Sequence, residues 1–75
     1  MQFQGKVIKK LIGVGTKSEH HGVVLVTDTT EFILRRQGGN PFSDPALDQL
    51  VGQTIAAEGT VHGVTLIMTE WRVEK

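Results

Sequence analysis

Only one stretch of this chain, from Asp44 to Gly52, carries a helix signal; the other apolar runs are short, rich in β-branched residues and closed by turn formers. Such a chain has few ways to bury a core. Its strands must stack as a small sandwich or close on themselves as a barrel. Within the helix signal, Asp44 can act as N-cap, and Pro45 sits at the first helical position, where its missing N–H costs nothing. Gly52 can close the C-terminus. Leu47, Leu50 and Val51 have the spacing of one apolar stripe, predicting a helix over residues 44–51. About two turns of helix are not stable alone, so this one must be docked, and a plug at the end of a barrel suits it.

The strand signals give the order β-β-β-α-β-β. Phe3 to Val14 reads as a long first strand, with Gly5 and Gly13 marking a bulge or coil. The polar run Gly15-Thr16-Lys17-Ser18-Glu19 is a loop. His21 to Thr27 and Glu31 to Arg36 form a hairpin about the turn Asp28-Thr29-Thr30. The two-residue period sends Val23, Leu25, Phe32 and Leu34 inward and leaves Val24, Val26 and Ile33 as an exposed apolar strip. Gln37-Gly38-Gly39-Asn40-Pro41 ends the strand, and Phe42 is placed to pack as a staple before the helix. In Gln53 to Val61, Ile55, Ala57 and Gly59 share one face, and Thr54, Glu58 and Thr60 the other. His62-Gly63 makes the turn into Val64 to Val73, with Leu66 and Met68 inward. A bulge near Thr69 or Glu70 would bring Trp71 and Val73 to the core as well.

Seventy-five residues make one domain, 1–75, with a thin core. There is no cysteine, so disulfides, thiolate metal sites and thiol catalysis are excluded. Met1 to Lys10 carries three lysines and no apolar run, unlike a secretory signal, and no stretch of about 18 apolar residues could span a membrane. The expectation is a cytoplasmic protein. Formal net charge is zero, which argues against a dedicated high-affinity nucleic-acid binder. The charges are nevertheless unevenly spread. Lys6, Lys9, Lys10 and Lys17 precede the first acid, and from Gln37 to Trp71 there are acids but no lysine or arginine.

The element order, with its long coiled first strand and a short helix between the third and fourth strands, resembles the OB-fold. Residues 50 to 73, LVGQTIAAEGTVHGVTLIMTEWRV, are similar to the last two strands of many bacterial OB domains. They run from a glycine after the helix through alternating apolar residues, a second glycine and a tight turn to a final strand. The resemblance implies an all-β, five-stranded Greek-key barrel with one short helix. The rival, an SH3-like barrel, keeps its helical turn nearer the C-terminus. The resemblance also implies a place for a ligand, across strands two and three between the loops Gly15 to His20 and Val61 to Gly63. OB domains have no catalytic signature of their own.

Single-stranded nucleic acid needs a cationic groove and aromatic faces for stacking. Lys9, Lys10, Arg35 and Arg36 could gather at one end of parallel first and third strands, with Lys6 and Lys17 extending the patch. The aromatics are few: Phe32 and Trp71 read as core, Phe42 as the staple, and Phe3 alone remains. His20, His21 and His62 lie in the two loops that an OB-fold brings together, and imidazoles can bind zinc or nickel. However, adjacent strand residues face opposite ways, so the reading is solvated loop histidines and no metal. Gly38-Gly39 lacks the lysine and helix of a phosphate loop. Ser18 and His20 have no buried acid to orient them, and Asp44 and Asp48 read as a solvated helix face. The expectation is a non-catalytic binding module without cofactor. Family precedent favours weak single-stranded nucleic-acid binding, and the alternative is a protein-interaction or structural domain using Val24, Val26 and Ile33.

Overall fold

Five strands and one helical turn follow one another in the computed structural model, which describes residues 2–13, 15, 17, 20–39 and 44–74. They are β1 (Gln2–Ile12), β2 (His20–Val26), β3 (Glu31–Arg36), α1 (Pro45–Asp48), β4 (Thr54–His62) and β5 (Thr65–Glu74). The sheet closes on itself in the order β1-β2-β3-β5-β4. Neighbours run antiparallel except β3 and β5, which are parallel.

Closure depends on β1 having two partners: Gln2–Lys6 pairs with β4, and Lys6–Ile12 with β2. Gly5 stands at this changeover. A Cβ there would fall on the carbonyl of Val26, so only glycine lets β1 pass so close to the end of β2. Gly59 plays the same part on the far side, where a Cβ would strike the carbonyl of Ile67. There Glu58 opposes Glu70 while Gly59 opposes Met68, so Thr69 is the extra residue of a bulge, at the position expected from the sequence. The Thr69 hydroxyl donates to the Glu58 carbonyl at 3.2 Å and holds the bulge.

Inside the ring, Val7, Leu25, Ile55, Leu66 and Met68 are wholly buried, and Leu47 and Leu50 close one end. Leu25, Leu34, Ile55, Ala57, Leu66 and Met68 are inward as expected, while Val23, Phe32 and Trp71 are half-buried against the core. Phe32 meets Phe3 edge-on, ring centroids 5.2 Å apart.

Four expectations need correction. The helix is one turn, Pro45–Asp48, instead of residues 44–51. Beyond it the bonds tighten to three-residue spacing, from Leu50 N to Leu47 O and from Val51 N to Asp48 O. Gly52, at φ +91°, then turns the chain so that its N–H reaches Val7 O at 2.7 Å. Val24 is 4% exposed and so belongs to no exposed strip; Val26 and Ile33 are half-buried. Val73 is 40% exposed and stays out of the core. The final turn is Gly63-Val64, one residue later than expected. Val14 and Phe42 lie outside the described residues. Among the described residues, no helix is long and apolar enough to cross a membrane.

Gly5→Ala and Gly59→Ala should each lower unfolding free energy by about 3 kcal/mol, because the obstructing atoms are backbone and cannot swing aside. Urea unfolding followed by Trp71 fluorescence measures this. A loss below about 1 kcal/mol at both sites would show that neither close approach is needed for closure.

Candidate functional site

Strand alternation divides the four candidate phosphate contacts. Lys9 shares the inward face of β1 with Val7, and its ammonium emerges at the helix end, 3.3 Å from Asp48 Oδ1. Arg36 shares the inward face of β3 with Leu34 and forks onto Asp44, with Nε 2.9 Å from Oδ2 and Nη2 3.1 Å from Oδ1. Lys10 lies on the outer face, 3.0 Å from Glu31 Oε1. Arg35 is exposed on the outer face, and no ion pair joins it to a described residue. So Lys9 and Arg36 meet the helix segment, whereas Lys10 and Arg35 stand on the outside of the sheet. Lys6 is on that outer face too, opposite Val26 and Thr54, and Lys17 is exposed in the loop after β1.

These pairs differ in kind. Lys9–Asp48 and Lys10–Glu31 are about half exposed, the class of surface pair that contributes up to about 1 kcal/mol. The Asp44 side chain is only 3% exposed, so the solvated-face reading of this residue does not hold. Besides accepting from Arg36 it caps the helix, taking the Ala46 N–H at 3.1 Å. The hydrogen bond from Arg36 holds the Asp44 carboxyl below its ordinary pKa of 3.8; burial opposes this, and the Ala46 N–H adds to it. The same bond raises Arg36. This clamp ties the end of β3 to the start of α1. Asp44 was recognisable as a cap, but its partner eight residues back could not be read from spacing.

The outer face of β2 and β3 carries a groove of about 180 Å³ lined by Leu11, Ile12, Val24, Ile33 and Val64, with Lys10 and Glu31 beside them. It lies between the end of β1 and the β4–β5 turn. Ile33 N donates to Val64 O at 2.8 Å, which fixes the turn against β3. Val64 is 66% exposed and Leu11 37%, so the groove has an open apolar rim. Its aromatic member, Phe32, is half-buried and meets Phe3 edge-on. In the sequence Val64 reads as the first residue of the last strand; the structure makes it the second residue of the Gly63-Val64 turn, where it is exposed. On the other side of the ring, a second hollow of about 280 Å³ at the bulge is lined by Gln2, Ala56, Glu58, Glu70, Trp71 and Arg72.

His20 and His21 are consecutive on β2, opposite Ile12 and Leu11, and His62 ends β4 opposite Thr65. Among the described residues, no three metal-ligating side chains converge. Ser18 lies outside the described residues. Comparison with known protein families, curated proteins and solved structures finds no match to this chain.

Asp44 sets an acid limit on stability. Its carboxyl is lowered on folding, so its contribution is fully present above the unfolded value of 3.8 and is lost as pH falls through the folded value below it. Asp44→Asn, which can still cap, should reduce stability at pH 7 and flatten the decline below pH 4. Asp44→Ala should lose about 1 kcal/mol more with the cap. Urea midpoints from pH 7 to pH 2 check this, and parallel curves for wild type and Asp44→Asn would refute it.

Proposed function

We propose that this chain is a non-catalytic binding module of the OB type, a five-stranded Greek-key barrel, and that its ligand is a protein segment docked through aliphatic side chains on the outer face of β2 and β3. Support for the OB assignment comes from a first strand shared between β2 and β4, a parallel β3–β5 pair and a helix between β3 and β4. The observation that carries the functional reading is the character of the groove. Leu11, Ile12, Val24, Ile33 and Val64 line it, in the region where the OB resemblance implies a ligand. Its volume, about 180 Å³, is below the roughly 300–1,000 Å³ of small-molecule pockets and suits one or two aliphatic side chains.

Nucleic acid fits less well. Lys9, Lys10 and Arg36 each already face a carboxylate, and a phosphate would have to displace it. The groove has one aromatic among its lining residues, Phe32, which packs against Phe3 and the core, short of the several rings a stacking platform uses. Four phosphate contacts would give a salt slope of roughly −3 in log affinity against log salt, whereas Arg35, the member of the four that faces no carboxylate among the described residues, gives about −0.7.

Fluorescence anisotropy with labelled poly-dT and poly-U should therefore show weak binding with a slope shallower than about −1. In parallel, proteins recovered from a cell extract by tagged wild type should be lost with Val64→Glu, an exposed turn position, and with Ile33→Glu. Steep, tight poly-dT binding abolished by Arg35→Ala would overturn the protein reading in favour of nucleic acid.

A further inference from the structure

The pairing of β2 with β3 stops early. It covers Val24–Val26 against Glu31–Ile33 only. Yet β2 stays paired to β1 back to His20, and β3 stays paired to β5 out to Arg36. Beyond Val24 the far edge of β2 therefore has no partner strand among the described residues. Ladder alternation decides which groups lie on that edge. Thr27 N donates to Thr30 O in the hairpin turn, so Leu25 and Phe32 form the next hydrogen-bonded pair. Continuing the alternation, the N–H and C=O groups of Val23 and His21 point away from β1. An edge of this kind accepts an extended chain.

The groove borders this edge. Ile12 and Lys10, two of its lining residues, are the cross-strand partners of His20 and Gly22, and Val24 ends the paired segment. Gly22 brings no side chain to crowd the outer face. On β3, Ile33 of the groove and Arg35 lie on the outer face two residues apart, the repeat of one face of an extended strand. Lys10 and Glu31 neutralise each other, so on the outer face of β3 Arg35 is the charge that no described residue answers. A second copy of this chain pairing through the same edge would present Gly22 on that face, with neither an aliphatic group nor a carboxylate.

We propose that the β2 edge at His21–Val23 accepts an extended segment of a partner protein as an added strand, with an aliphatic side chain in the groove and a carboxylate two residues along it on Arg35. This rests on the protein-binding reading above and specifies its geometry.

The probe is a capped seven-residue threonine peptide with leucine at its third position and glutamate at its fifth, titrated to about 5 mM into the ¹⁵N-labelled protein. Amide shifts should appear at His21, Gly22, Val23 and Val64, with cross-strand backbone contacts between peptide and β2. Replacing the peptide glutamate by lysine should weaken binding at least about threefold, and Arg35→Glu should reverse that preference. His21→Pro removes an edge donor but no bond to β1, and proline is tolerated on edges. It should keep a folded spectrum and bind about tenfold more weakly. Binding that is lost in Val64→Glu but unchanged in His21→Pro would overturn strand addition and leave protein docking in the groove standing. No shift with this peptide, or the same amides moved by oligo-dT instead, would overturn both.

Discussion

Lys6 is where β1 changes partner, standing opposite Val26 of β2 on one side and Thr54 of β4 on the other. A strand can serve two neighbours in this way only if it bends sharply, and the bend brings its backbone against the end of β2. Gly5 permits that contact because it has no Cβ to meet the Val26 carbonyl. The interior depends on this closure. Val7, one residue beyond the changeover, is wholly buried, and its backbone binds both Gly52 and Gln53, which brings the helix segment under the ring. The apolar end-plug of Leu47 and Leu50 is thus anchored to the same place that closes the sheet.

The charges follow from the same geometry. An inward-facing strand position near an open end of a ring cannot bury a cation, so Lys9 and Arg36 reach past the edge of the core to the acids of the helix segment. Those acids lie in the lysine-free half of the chain, and folding sets them against the basic half. A neutral chain with an uneven charge distribution therefore becomes a molecule with local neutralisation. What remains for recognition on the β2–β3 face is an apolar groove, one internal ion pair and Arg35. This balance supports protein contacts over phosphate contacts.

Particular elements explain how much could be read in advance. β3 is legible from Glu31 to Arg36 as the return strand of a hairpin between the turn Asp28-Thr29-Thr30 and the break at Gln37, and these are its observed ends. The bulge at Thr69 followed from needing Trp71 on the core side of a strand already carrying Leu66 and Met68 inward. Asp44 and Pro45 marked the helix start correctly, since capping is local chemistry. The helix end is not legible locally. The bond between Gly52 and Val7, which turns the chain away, links residues far apart in sequence. Val24 reads as exposed in the sequence for a similar reason: period-two alternation gives the face of a strand but not how far that face is buried.

The sequence by itself determined the order of elements, the inward face of most strands and the glycine that marks the bend of β1. All of these rest on local periodicity, turn chemistry and glycine. Only the tertiary structure decided which cations are neutralised, where β2 loses its partner strand and that Leu11, Ile12, Val24, Ile33 and Val64 share one groove. Those features join residues far apart in the chain, such as Lys9 with Asp48, Lys10 with Glu31 and Ile33 with Val64. Strand twist and register over the whole sheet set such contacts, and no single window of residues encodes them.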